Sequence, residues 1–473
     1  MKKEVYLPQQ LLVDMIQLAT TEAVATTAVA IPAAAMIPFA IMLIMIAVGP
    51  LFAGKWWDKN SHKLFVSLLL GAPTAVFLVK HGLAHALEEQ ILFDYMPFVI
   101  LLLTLYVITG GIHMSGDIKP TSGVNTALLG TGFALASIMG TTGAAMLLVR
   151  PLLNVNAKRR YKVHTVLFFI ALVANCGGLL SPLGDPPLFM LYLRGASFTW
   201  FLKMLPEWLF TGGMLLLLYY ISDKFYFSKK EEASAFELPQ DRQPIRFRGT
   251  KNFWYLGGVV LAVAFINPSF IPQMGAEDAK FWVKFLREFV LIALMGLSLY
   301  KTANHVRYGL NKFSWGPILE VAALFLGIFV TMTPALMYME QNAARLGIEE
   351  TWQFFFATGA LSSFLDNTPT AVAFHSLASG LPASLAAADA CIVNGVLNGV
   401  PFVAGVPEIL LKAISIGAVF FGSLTYIGNG PNFMVKSIAE NQGIKMPSFF
   451  GYMLKFSLVV LLPIYILLYF IFL

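Results

Sequence analysis

The sequence predicts an all-α polytopic membrane protein made of two inverted repeats. Each repeat is expected to carry a re-entrant helical hairpin and a discontinuous transmembrane helix. Three observations predict this. Of 473 residues, 58% are hydrophobic and 12% charged, against roughly 45–50% and 25% in soluble domains. Apolar runs of the length that spans a bilayer, roughly 20 residues, recur at 32–53, 96–111, 204–221, 319–338 and 454–473. Finally, the phrase "SPLGDPPLFM" (181–190) returns 244 positions later as "TYIGNGPNFM" (425–434), and each copy interrupts a long apolar stretch.

From the N-terminus, the first twenty residues carry Glu4, Pro8 and Asp14 and no short apolar stretch before a small-residue cleavage site. No removable signal peptide is expected there. The two cysteines, Cys176 and Cys391, lie in apolar surroundings and make no disulfide framework. The net charge of +6 comes from short basic loops at 55–63, 158–162, 224–251 and 301–312, whereas 88–94 reads as an acidic loop. That pattern is a positive-inside signal rather than a nucleic-acid footprint. Placing the basic loops in the cytoplasm makes 224–251 a cytoplasmic linker between membrane halves 1–223 and 252–473.

Each half repeats one order of elements. A span opens it: "YMPFVILLLTLYVITG" (95–110) in the first half, "WGPILEVAALFLGIFV" (315–330) in the second. A segment broken at its middle follows, "ALASIMGTTGAAMLL" (134–148) against "ALSSFLDNTPTAVAF" (360–374). These predict hairpins near 125–153 and 352–380. The repeated phrase comes last and predicts broken helices near 163–195 and 409–440. With basic loops inside, the span at 95 runs inward and the span at 315 outward, so the halves are inverted. Many secondary transporters are built this way, with their sites at the midplane where the repeats meet.

The breaks at 140–143, 184–187, 366–369 and 428–431 carry the chemistry. A helix interrupted in hydrocarbon frees N–H and C=O groups that cost several kcal/mol each if unpaired. Pro186, Pro187, Pro369 and Pro431 remove helix donors, and Gly184, Gly428 and Gly430 permit unusual backbone angles. Freed carbonyls suit a cation and freed amides an anion. The flanking Thr141, Thr142, Ser181, Asn367, Thr368, Thr370, Thr425, Asn429 and Asn432 offer hard oxygen ligands for Na⁺ or Li⁺.

Asp185 and Asp366 are the sharpest residues, because a carboxylate deep in a membrane is costly and usually functional. Each can hold a proton or a cation, and each can equally cap a half-helix. Glu320 is a further proton-carrier candidate or an interfacial residue. His375 reads as a proton relay or a neutral hydrogen-bonded histidine, Asn175 as a possible completion of the ion site, and Arg150 as a cation snorkelling to the interface.

At these residues the chain resembles the ion transporter superfamily, which includes NhaD-type sodium/proton antiporters, arsenite permeases and citrate permeases. "SSFLDNTPTAVAF" is close to the hairpin tip of those families and "GGLLSPLGDPPLFM" to their unwound-helix phrase. The similarity covers roughly 97–440. It implies elevator-like alternating access by a mobile transport domain and a homodimer formed through a scaffold domain. It also implies ion sites at Asp366, Asn367 and Thr368, at Thr141 and Thr142, at Gly184 and Asp185, and at Asn429 and Asn432. Two departures stand out: the first tip reads "MGTTGAA" and lacks a carboxylate, and Leu188 stands where the phrase often has Asn.

The resulting expectation is a Na⁺(Li⁺)/H⁺ antiporter of a bacterial inner membrane. The proton carriers would be Asp185, Asp366 and Glu320, and Na⁺ would sit at Asp366, Asn367, Thr142 and Asn429. The alternative is a cation-coupled transporter of citrate or dicarboxylates. No resident cofactor is expected beyond the coupling ion; the partners are small ions, small carboxylates and the bilayer, not nucleic acid. No G-x-x-x-x-G-K-S/T loop argues for a primary pump, and the composition suits no soluble enzyme.

Overall fold

The computed structural model describes residues 29–237, 243–276, 278–382, 384, 396–397 and 400–473. The N-terminal segment read above for a signal peptide, and Cys391, lie outside them. Among the described residues, seven helices are long and apolar enough to cross a membrane: Asn60–Lys80, Ala84–Thr109, Ser122–Met139, Val163–Leu180, Trp200–Lys230, Gly316–Gln341 and Phe449–Phe472. The chain is therefore a multi-pass, predominantly helical membrane protein.

Both predicted hairpins are present. The first is Ser122–Met139 followed by Thr141–Val155, parted by Gly140 at φ 80°. The second is Thr351–Phe364 followed by Asn367–Ser379, parted at Leu365 and Asp366. Both broken helices are present as well. Val163–Leu172 loosens into a 3₁₀ turn at Cys176–Leu180, crosses a loop at 181–185 and resumes as Pro186–Leu193. Glu408–Phe421 does the same through Gly422–Leu424 and resumes as Gly430–Asn441. Proline at the first turn of each resumed helix explains why it restarts there: its missing N–H would be unpaired anyway.

Packing follows from the need to hide broken backbone. The resumed helix Pro186–Leu193 packs on the second hairpin's return helix, and Gly430–Asn441 packs on that of the first. Val163–Leu180 is 89% buried within the protein, whereas peripheral Asn60–Lys80 is 33% buried. Lipid cannot satisfy freed backbone groups, so the broken helices sit innermost. Outside them Gly316–Gln341 packs on Asn60–Lys80, and Met96–Thr109 on Leu286–Lys301.

Two features differ from the sequence reading. The acidic stretch 88–94 is helical, continuing Ala84–Glu89 into Met96–Thr109 without a break. Its Asp94 accepts from Gln90 Nε2 at 2.9 Å one turn earlier, which keeps a polar segment helical. Small sheets also occur: Arg246–Arg248, within the stretch read as a linker, pairs antiparallel with His113–Ser115, and Val396–Leu397, Val400–Val403 and Val406–Pro407 pair in turn.

The unwound loops are held by close backbone approach. A Cβ at Gly184 would lie 2.0 Å from the Gly178 carbonyl oxygen, and one at Gly428 would lie 2.6 Å from that of Gly422. Gly184→Ala is expected to destabilise the protein by about 3 kcal/mol through overpacking, read as a lower thermal midpoint in detergent. An unchanged midpoint would show that this loop yields freely.

Candidate functional site

Asp185 is 1% exposed and stands where all four breaks meet. Its Oδ1 accepts from the Thr141 hydroxyl of the first hairpin tip at 2.8 Å and from Asn429 Nδ2 of the second broken helix at 3.2 Å. Its Oδ2 accepts from Asn367 Nδ2 of the second hairpin tip at 2.5 Å. The Thr141 backbone N–H donates to the Gly184 carbonyl at 2.8 Å, closing the first tip onto the first loop. Every donor is neutral, and among the described residues no ion pair includes Asp185.

The loops are pinned in the same way in both halves. The Ser181 hydroxyl donates to the Ser137 carbonyl, and the Thr425 hydroxyl to the Ser363 carbonyl. The Leu183 and Ile427 N–H groups then donate back to those hydroxyls, each at 3.2 Å. Ser137 lies four residues before Thr141 and Ser363 four before Asn367, so equivalent backbone oxygens anchor equivalent loops. A side-chain hydroxyl that both donates and accepts suits an unwound segment, because it pairs one freed group of each kind.

Asn175 completes the cluster. Its Nδ2 donates to Asn432 Oδ1 at 2.7 Å, and its Oδ1 accepts from Asn429 Nδ2 at 3.3 Å. Asn432 Nδ2 donates in turn to the Gly422 and Thr425 carbonyls at 2.8 and 2.9 Å. The 244-residue shift equates Asn175 with Val419 and Asn432 with Leu188, both apolar and fully buried. One side of the junction is thus hydrogen-bonded and the other merely packed.

The remaining candidates separate. Asp366 is half-buried and its Oδ1 accepts from the Thr368 N–H at 3.0 Å, the capping bond of its own helix. Thr368 donates weakly to Asn367 Oδ1 at 3.5 Å, and Thr142 lies half-buried beside Thr141. Glu320 does not join this group: its carboxylate pairs with Lys63 Nζ at 2.7 Å and is 40% exposed. His375 Nε2 lies 2.9 Å from the Ala404 carbonyl, and Arg150 donates to the Asn311 carbonyl at 2.5 Å. Sequence reasoning missed Arg194 and Ser376, which bond each other at 3.4 Å. A signal was available: Arg194 follows Asp185 by nine residues, and Ser376 follows Asn367 by nine.

The junction of broken helices thus buries a carboxylate at its centre. Residues 28–473 match the model of the family described as "Putative citrate transport". The chain belongs to this family. It is a membrane transporter and not an enzyme, and the wider group is that of citrate permease-like ion transporters. No curated protein matches the chain. The match takes in both hairpins and both broken helices of the transporter.

Proposed function

We propose that the transporter is a secondary carrier of citrate-type small carboxylates, coupled to a proton or cation held at Asp185. The convergence of four helix N-termini on Asp185 supports this reading. Pro186–Leu193, Thr141–Val155, Asn367–Ser379 and Gly430–Asn441 all begin within the cluster. Each helix start carries roughly half a positive charge. Asp366 caps one of them, so with both carboxylates ionised their two negative charges about match the roughly two positive charges of the four starts. The balance turns in favour of an anion once Asp185 has taken a proton or cation. Anion and coupling ion thus help each other bind, which is the thermodynamic basis of symport.

A second reading keeps the cation as cargo. Asp185 has only neutral donors around it, so one positive charge is accommodated there, as Na⁺(Li⁺)/H⁺ antiport requires. In that reading Asp366, Asn367, Thr142 and Asn429 would hold the ion. In both readings the halves 1–223 and 252–473, joined through 224–251, are inverted repeats in an elevator-type homodimer of a bacterial inner membrane.

Purified protein in liposomes with an internal pH dye separates the two. Citrate added outside is expected to evoke uptake and a pH change, while Na⁺, Li⁺ or K⁺ alone evokes none. A pH change with Na⁺ or Li⁺ alone, lost in Asp366→Asn, would overturn the carboxylate reading in favour of exchange.

A further inference from the structure

The helices Pro186–Leu193 and Asn367–Ser379 start together at the Asp185–Asn367 bond of 2.5 Å. Nine residues further along both, Arg194 Nη1 still reaches the Ser376 hydroxyl at 3.4 Å. At about 1.5 Å per helical residue, this second contact lies roughly 13 Å from the first. The two helices thus stay in register and carry a second polar layer beyond the first.

That layer has unused valences. Arg194 pairs with Asp94 at 3.5 Å, and its side chain is 20% exposed. Both of its contacts are at the outer limit of hydrogen bonding, and Asp94 also accepts from Gln90 at 2.9 Å. Arg194 Nε is buried without a hydrogen-bond partner. His375 adjoins Ser376 and is 4% exposed. Its Nε2 faces the Ala404 carbonyl at 2.9 Å, so that nitrogen carries the hydrogen. In the neutral ring Nδ1 is then a bare acceptor, and it too is buried without a partner. The Arg194 charge lies close enough to act on this ring.

We propose that Arg194, His375 and Ser376 form an outer binding site for the carboxylate-and-hydroxyl end of a hydroxycarboxylate, separate from the cluster at Asp185. The proposal rests on the carboxylate reading above and names its substrate class more narrowly. A guanidinium takes a carboxylate through directed N–H donors. The bare His375 Nδ1 takes the hydrogen of an adjacent hydroxyl, which no plain carboxylate supplies. The Ser376 hydroxyl accepts from Arg194 at 3.4 Å and has a hydrogen of its own to donate. An ordinary inter-helix ion pair would explain Arg194 and Asp94, yet it leaves both orphan nitrogens unexplained.

Citrate and tricarballylate share three carboxylates and differ by one hydroxyl, so their ratio of affinities reads the site directly. Calorimetric binding to the purified full chain is expected to favour citrate by about 10- to 100-fold, the range of one hydrogen bond in a buried site. His375→Gln keeps a donor for Ala404 and moves the accepting atom away from the Nδ1 position. It should collapse the preference by weakening citrate alone. Arg194→Gln should weaken both ligands together, at least tenfold. An unchanged ratio in His375→Gln overturns the site, as does equal wild-type binding of the two ligands. Should His375→Gln fail to fold, undiminished binding in Arg194→Gln overturns it instead. A wild type that binds neither ligand sinks the carboxylate reading as well.

Discussion

Asp185→Asn is expected to reduce coupled transport at least about 100-fold while the protein still folds. The carboxylate accepts three hydrogen bonds, from Thr141, Asn429 and Asn367. An amide offers one accepting oxygen and turns its other end into a donor. If its oxygen faces Asn367, two donors meet at Thr141 and Asn429; if it is flipped, two meet at Asn367. A buried donor without an acceptor costs about 1–3 kcal/mol, so the junction loosens without unfolding. The charge that attracts the coupling ion is lost as well. The check is uptake in liposomes alongside the thermal midpoint in detergent. Wild-type uptake by Asp185→Asn, with the same pH dependence, would remove Asp185 from the mechanism.

The largest loss of stability is expected at Arg159, which is 1% exposed. It grips Asp223 with two nitrogens, at 2.6 and 3.2 Å, and donates to the Ser228 hydroxyl at 3.2 Å. Asp223 also faces His164 Nε2 at 2.8 Å, and Glu231 accepts the N–H groups of Arg160 and Tyr161 at 3.0 and 2.7 Å. These bonds tie the exit of the first hairpin and the start of the first broken helix to the last turns of Trp200–Lys230 and the residue after it. Arg159→Gln leaves the fully buried Asp223 without its cation and should cost about 3–5 kcal/mol. The double change Arg159→Met with Asp223→Leu should recover much of that loss, because an apolar pair of similar volume is often neutral. A double variant no more stable than the single one would show that the hydrogen bonds to Ser228 and His164 dominate.

Much of the fold is legible because its signals are local. Apolar length reports the spans, and Gly and Pro report the breaks wherever they fall. The duplicated phrase at 181 and 425 placed both broken helices, and the two tip sequences placed both hairpins. The predicted hairpin limits, 125–153 and 352–380, fall close to the observed Ser122–Val155 and Thr351–Ser379. Short strands such as Arg246–Arg248 escaped, since a three-residue exposed strand has no periodicity to detect and exists only because His113–Ser115 lies beside it.

The site was legible in membership more than in roles. Thr141, Asn367, Asn429 and Asp185 stand at breaks the sequence marks and lie together in the fold, yet the sequence weighed Asp185 and Asp366 alike. Local chemistry is the same for both: an acid before a proline-bearing helix start. Only the packed protein turns Asp366 back onto its own Thr368 N–H and sets Asp185 against donors 44, 182 and 244 residues away. The same holds for Asn175 and Asn432, 257 residues apart, and for Arg159 and Asp223.

The sequence by itself determined that this chain crosses a membrane, that its helices break four times and which side chains stand at the breaks. Those follow from transfer free energy and backbone sterics, which act residue by residue. The tertiary structure alone decided which carboxylate sits at the centre, which asparagines close round it and which histidine keeps an unpaired nitrogen. Such pairings depend on distances between remote segments, and those are fixed only when the broken helices are buried against one another.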